Sequence, residues 1–381
     1  MKFVFLTSGR FHVFDQVREL INLGHEVKLY TLVPPRRAIR FGVPKTSVVW
    51  MAPKISFYML LFLLFRKTEK KQKAYRMINT ALDKKMAKLM PDCDVFISMS
   101  GMCINSLRVA KTKKILTILQ RSSRHIESQA EILREFPDSE QVDPWVIDQE
   151  LSEYDLADFI TVLSQHSVDS FLERGFSKKK LLKIMPGVDL TYFTVSTAKN
   201  RHPPAIIYTG VWCTRKGSDL LIEAWRRLRN TRWPDLQLLH VGSLGDVNLP
   251  DDDGFVHVDH VDQSALPDYY NRADVFCLPS REDGFGVVLL QALACGLRLV
   301  CSDKTGGVDV LEVLGDGDAV RIFKAGSVED LTQKLEEALS RASVTESEDF
   351  LGSDRENFSW KKHAESLAGF MDKQVGAGEC N

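Results

Sequence analysis

The chain has 381 residues, 44% of them hydrophobic and 27% charged, with 50 Lys and Arg against 51 Asp and Glu. This is the composition of a soluble globular protein with room for two or three domains, and it excludes a disordered or collagen-like chain. The seven cysteines are scattered and form no Cys-x-x-Cys pair, so no zinc or redox motif is predicted and a reducing compartment suits the chain.

The balanced total conceals a division. Residues 1–190 carry 30 basic and 21 acidic side chains, a net of +9, whereas the remainder carries a net of −10. From Arg36 to Arg76, eleven Lys and Arg meet one acid, Glu69. Within that stretch Ile55–Phe65 is almost purely apolar, with Lys54 before it and Arg66, Lys67, Lys70, Lys71 and Lys73 after it. A bilayer span needs about 20 residues, so this run is too short to cross. Cations on both flanks predict that residues 54–76 lie in the face of an anionic membrane; the other reading is a buried helix with a solvated basic end. Met1–Leu6 lacks the charged and long apolar regions of a signal peptide, so a cytoplasmic, peripherally membrane-associated protein is expected.

In chain order, Lys2–Leu6 reads as a strand, Val13, Phe14, Val17, Leu20 and Ile21 as one helical face, Gly24 as its end, and Glu26–Thr31 as a second strand. Strand, loop, helix and strand open a doubly wound parallel sheet. Further strands are predicted at Asp94–Ser98, Lys114–Leu119, Phe159–Leu163 and Lys183–Met185, with a helix through Val168–Arg174. Met185–Leu190 breaks the pattern, and the polar Thr194–Pro204 reads as a linker. The alternation then restarts, with strands at Ala205–Thr209, Leu236–Val241, Phe255–Val258, Val275–Leu278 and Arg298–Ser302. Helices are predicted at Ser218–Leu228, Leu266–Arg272, Gly286–Cys295 and Trp360–Met371. The expected architecture is α/β, two Rossmann-like domains facing each other across a cleft. Their predicted bounds are 1–187 and 188–357, with a C-terminal helix in 358–381.

Val275–Gly296 carries the most chemistry. A buried strand ends at Pro279, a polar loop presents Arg281, Glu282 and Asp283, and Gly284-Phe285-Gly286 turns the chain into a helix whose N-terminus attracts anions. At 1.5 Å per helical residue, Asp283 and Gln291 stand up to roughly 12 Å apart, which suits a ligand with hydroxylated ends flanking a phosphate pair.

This stretch resembles the signature of the retaining glycosyltransferase family four, of GT-B fold, in which Pro-Ser-x-x-Glu-Gly-Phe-Gly precedes a helix bearing a second Glu. The resemblance places the sugar-binding acid at Asp283, the backbone facing sugar and diphosphate at Gly284, Phe285, Gly286 and Val287, and the ribose-binding residue at Gln291. Both glutamates of the pair are replaced, by a shorter acid and an amide, with their spacing intact. Upstream, Tyr208–Ala224 is similar to the family's strand, Gly loop and Lys-Gly. The match implies donor contacts at Gly210 and Arg215 and a catalytic cation at Lys216. Val211 stands where many members carry an Arg.

In the first half, Leu119–Gln129 is similar to the subgroup form Arg-Gly-Ser-x-His-Ile, which implies a sugar-facing, catalytic His125 and a supporting, acceptor-side Arg121. Ser8, Gly9 and Arg10 stand where the family has its acceptor-side loop, Pro186–Asp189 at its interdomain hinge, and Phe358–Trp360 at the start of a helix returning to the first domain.

The resemblance implies transfer of a sugar, with retention, from a UDP- or GDP-sugar to a hydroxyl of a glycan or lipid-linked acceptor in polysaccharide or glycolipid synthesis. The leaving diphosphate then takes the acceptor proton, and Lys216, Arg215 and the turn at Gly286 stabilise the growing charge. No metal and no cofactor beyond the donor substrate is expected, since Asp251–Asp253 reads as a solvated turn. No Walker loop and no nucleic-acid module is present, so no nucleic-acid partner is expected. The alternatives are a catalytically degenerate nucleotide-binding scaffold, suggested by the replacements at Asp283 and Gln291, and a nucleotide-sugar epimerase.

Overall fold

The computed structural model describes every residue except 66–69, 138, 197–202, 316, 343–348 and 379–381. Arg66, Lys67 and Glu69, the middle of the predicted linker, and Cys380 lie outside the described residues.

Short strands that are apolar on both faces require cover on both sides, which parallel sheets obtain from their crossover helices. The first sheet comprises β1 (Lys2–Thr7), β2 (Glu26–Thr31), β3 (Val48–Trp50), β4 (Val95–Met99), β5 (Leu116–Gln120), β6 (Phe159–Val162) and β7 (Leu181–Lys183), in the order β3-β2-β1-β4-β5-β6-β7. The second comprises β8 (Ala205–Thr209), β9 (Gln237–Val241), β10 (Phe255–Val258), β11 (Val275–Leu278), β12 (Arg298–Ser302) and β13 (Val320–Phe323), in the order β10-β9-β8-β11-β12-β13. Every pairing is parallel, with Phe3 opposite both Val27 and Val95, and Val275 opposite both Ile206 and Arg298. Phe3, Phe5, Phe14 and Phe96 anchor one core, and Ile206, Trp225, Phe276 and Leu299 the other.

Each sheet reverses its strand order once, between β1 and β4 and between β8 and β11. Ligands of open α/β sheets bind in the crevice outside the carboxyl ends of the strands at such a switch point. The loops leaving β1, β8 and β11 are those that carry Ser8–Arg10, Gly210–Lys216 and Pro279–Val287.

The chain crosses between the halves twice, and the crossings touch. The Val188 amide donates to the Phe358 carbonyl at 2.8 Å, and a Cβ at Gly187 would sit 2.3 Å from the Trp360 nitrogen, so only glycine fits there. Beyond the second crossing, helix Trp360–Gly378 packs along helix Val13–Asn22 and buries Ala364, Leu367, Ala368 and Met371 in the first core.

Several element bounds differ from the sequence expectations. The helix placed at Val168–Arg174 spans Gln165–Leu172, because Ser164 caps it by accepting from the Ser167 amide. The strand placed at Lys183–Met185 is Leu181–Lys183, and the helix placed at Gly286–Cys295 is shortened to Val288–Ala294.

The apolar run forms helix Ser56–Phe65. Ile55 is buried and Met59 and Phe62 pack on the first core, while Phe57 and Leu64 are 66% and 60% exposed and Leu60 and Leu63 also face solvent. The helix is thus half docked, with an open apolar face. No helix among the described residues is long and apolar enough to cross a membrane.

Candidate active site

A cavity of about 1080 Å³ lies between the halves. Arg10, Arg37 and Phe41 line it from the first half, and Gly210, Val211, Gly242 and Gln291 from the second. Small-molecule sites run to about 300–1,000 Å³, so this one has room for two substrates side by side. Gln291 has its side-chain oxygen 3.2 Å from the Tyr270 hydroxyl, whose own partner is the Thr209 hydroxyl at 3.0 Å. The amide is therefore held at the cavity wall.

Beyond Gly210 and Val211 the same loop continues to a charged cluster. Lys216 Nζ donates to Asp283 Oδ2 at 2.5 Å, with both side chains largely buried. Arg215 Nη1 donates to Glu282 Oε2 at 3.1 Å. Burial pushes both carboxyl groups up, but Lys216 and Arg215 outweigh it and hold both below the usual carboxylate range. The Arg215 guanidinium, penalised by burial, is held above its ordinary value by Glu282 and Asp283. Arg215, Glu282 and Asp283 are therefore charged at neutral pH. Arg281 is not part of this cluster, since it forks onto Asp219 at 2.6 and 2.7 Å.

Glu282 is fully buried and joins the two halves. It accepts from Ser123 Oγ and, at 3.2 Å, from Gln129 Nε2, both on the first half. Gln129 in turn accepts from Arg121 at 2.6 Å, and Arg121 is ion-paired with Glu150 at 3.1 Å. At the neighbouring Gly284, a Cβ would sit 1.9 Å from the Ser122 carbonyl oxygen, and the Gly284 carbonyl accepts from Ser164 at 2.6 Å and Ser167 at 3.1 Å. The motif loop is thus clamped against the first half through a residue with no side chain. The sequence reading placed Glu282 in the polar loop without a role and passed over Ser123 and Gln129. The available signal was a second acid next to Asp283 at a position the family pattern leaves open.

The expected sites divide into those the structure brings together and those it separates. Gly210 and Gln291 line the cavity; Arg215, Lys216 and Asp283 form the cluster beside the Gly210 loop; Gly286 and Val287 make the turn into the short helix. Phe285 is a core residue of the second half. Ser8 and Gly9 are half-buried behind Arg10, with Gly9 tied to Thr7, and Arg10 lines the cavity in their place.

His125 and Arg121 lie outside the cavity lining. His125 is 1% exposed, and its ring packs within 4.9–5.4 Å, between centroids, of Phe171, Tyr154 and Phe176. Its Nδ1 accepts from the Glu127 amide at 3.3 Å, capping helix Ile126–Arg134. Burial, with Arg174 and Arg121 nearby, pushes its pKa down to about 4, so the ring is neutral. Arg121 donates to Glu150, Gln129 and the Arg124 carbonyl and so supports the clamp.

Residues 203–341 match the family model described as glycosyl transferases group 1. Over these residues the chain is similar to the group 1 glycosyltransferases. The whole chain has the GT-B fold: it superposes on sucrose-phosphate synthase from Thermosynechococcus elongatus with a TM-score of 0.68 at 18% identity, covering 99% of this chain and 100% of that one. On Anabaena HepE in complex with UDP-glucose the TM-score is 0.67 at 13% identity, covering 98% and 100%. By sequence, the chain is similar to a D-inositol 3-phosphate glycosyltransferase of Arthrobacter, 33% identical over 142 residues, or 32% of this chain and 34% of that protein. A second relative is the GDP-mannose-dependent alpha-(1-6)-phosphatidylinositol monomannoside mannosyltransferase of Mycolicibacterium smegmatis, 27% identical over 210 residues, covering 48% and 53%. The chain spans about half or less of the length of these curated relatives.

Proposed function

We propose that this chain is a retaining glycosyltransferase that moves a sugar from a UDP- or GDP-sugar to a hydroxyl group of a glycan or lipid-linked acceptor. The observation that carries the reading is the cluster of Lys216, Asp283, Arg215 and Glu282 beside the Gln291-lined end of a cleft between two Rossmann-like halves. The ribose hydroxyls pair with Gln291, and the sugar hydroxyls take up Asp283. Lys216, released from Asp283, then faces the diphosphate with Arg215. The bond between the anomeric carbon and the β-phosphate oxygen breaks, the acceptor oxygen bonds to that carbon on the same face, and the acceptor proton passes to the departing phosphate oxygen. A cation held beside the oxygen where charge develops stabilises that charge, and this is where such sites obtain most of their rate.

The relatives act on inositol phosphates and phosphatidylinositol mannosides by their names, and HepE was solved with UDP-glucose. These names support a nucleotide-sugar donor. The open apolar face of helix Ser56–Phe65, with Lys54, Lys70, Lys71 and Lys73 around it, supports peripheral attachment to an anionic membrane where a lipid-linked acceptor resides. The domain division proposed is 1–187, 188–357 and 358–381.

The test is a screen of UDP- and GDP-sugars with saccharide and lipid-linked acceptors, reading free nucleotide and the anomeric configuration of the product by NMR. Acceptor-dependent nucleotide release with retained configuration is expected. Inverted product, or nucleotide release that no acceptor alters, sinks the reading.

A further inference from the structure

Between β2 and β3 the sequence runs Pro34-Pro35-Arg36-Arg37-Ala38-Ile39-Arg40-Phe41-Gly42. Two prolines fix the entry to a single helical turn, Pro35–Ile39, and Ala38 anchors it in the first core. That turn sets Arg37 and Arg40 on the first-half wall of the cavity, together with Arg10, while Gln291 lines it from the second half. The Arg10 guanidinium lies 3.6 Å over the Phe41 ring, its Nη2 reaches across the cleft to Gln263, and its Nε is buried with no hydrogen-bond partner.

The charge on this wall is not balanced. Its carboxylates are already committed: Arg18 bonds Asp15 at 3.0 Å and Glu19 at 2.7 Å and lies 3.8 Å from Asp189, and Asp15 also faces Arg10 at 3.5 Å. Among the described residues, Arg37 and Arg40 have no acid within ion-pair distance, and both are exposed to the cavity. The remaining cavity acids, Asp262 and Glu356, lie on other segments of the lining. Burial and like-charge repulsion from Arg37 lower the pKa of Arg10, Arg40 adds a third guanidinium to the same cavity lining, and an anion relieves this excess of positive charge. Guanidinium groups are the side chains of choice for bidentate phosphate recognition.

We propose that the acceptor carries a phosphate group, held by Arg10, Arg37 and Arg40 at the first-half end of the cavity, so that its hydroxyl is presented to the donor at the Gln291 end. This rests on the transferase reading and narrows its acceptor to phosphorylated molecules. A soluble sugar phosphate and a phospholipid head group share that chemistry.

The test is calorimetric titration of the full chain, with and without saturating UDP or GDP, using four probes: glucose 6-phosphate and glucose, glycerophosphoinositol and inositol. At least one phosphorylated probe is expected to bind tenfold or more tighter than its neutral counterpart. The Arg37→Gln/Arg40→Gln variant removes two exposed side chains without ion-pair partners, so it is expected to fold normally, keep nucleotide affinity and lose that tenfold advantage. A preference for glucose 6-phosphate points to a soluble acceptor, and a preference for glycerophosphoinositol to a lipid head group. Equal or undetectable binding of charged and neutral probes, or undiminished binding of the phosphorylated probe to the double variant, overturns the proposal. Failure of nucleotide binding counts against the transferase reading alone, because the charged-against-neutral comparison is also made without nucleotide.

Discussion

Beside the second-half wall of the cleft the charged side chains are paired before any ligand arrives, Lys216 on Asp283 and Arg215 on Glu282, and the loop that carries both acids is clamped at Gly284. On the first-half wall Arg37 and Arg40 stand exposed, with no acid within ion-pair distance among the described residues, and in the same half helix Ser56–Phe65 leaves half its apolar surface open. The difference teaches where each substrate gains its free energy. A paired, buried cluster is preorganised for one ligand geometry and supplies rate, whereas exposed arginines supply charge attraction and selectivity with little rigidity.

Removing the preorganised cation breaks this contrast most severely. Lys216→Ala is expected to lower turnover by about 10²–10³, the equivalent of about 2.7–4 kcal/mol at comparable sites. Thermal unfolding run alongside separates that loss from the stability cost of leaving Asp283 without its partner. A folded variant with wild-type turnover removes Lys216 from the mechanism.

Glu282→Gln tests the clamp. Losing one member of a buried ion pair costs about 3–5 kcal/mol, and the low end applies here because Arg215 keeps contact with solvent. Lower stability to denaturant is expected, together with a larger radius of gyration by X-ray scattering as the halves part. If neither changes, Glu282 does not hold the cleft closed.

Gln291→Glu sharpens the comparison on the donor side. A charge-assisted hydrogen bond to ribose replaces a neutral one, so nucleotide affinity is expected to rise about threefold to tenfold. Equal or weaker binding by calorimetry places the ribose elsewhere.

The two walls also differed in how much the sequence revealed. The second-half wall was legible because it is built from local devices: a strand, a tight glycine turn and a helix within Val275–Gly296, and a Gly loop ending in Lys216. The alternating pattern also exposed most strands of both sheets. Short edge strands escaped, as with Val48–Trp50, whose three residues show no period. Helix Lys71–Leu89 escaped because alanines contribute to its buried stripe, at Ala74 and Ala81, between Lys and Arg residues. The clamp was illegible for a different reason. Glu282, Ser123, Gln129 and Arg121 are brought together by the docking of two halves, and no local pattern records a contact 153 positions apart in the chain, as between Gln129 and Glu282. The burial of His125 was equally illegible, because a motif fixes a residue's place in the chain and not the direction of its ring.

Nucleotide binding to three proteins, compared by calorimetry, tests the division of the cleft into a donor wall and an acceptor wall. Wild type is expected to bind UDP or GDP, Gln291→Ala to bind it at least tenfold more weakly, and Arg37→Gln/Arg40→Gln to bind it as wild type does. Wild type binding neither nucleotide, or affinity lost in the arginine variant and kept in Gln291→Ala, contradicts the account.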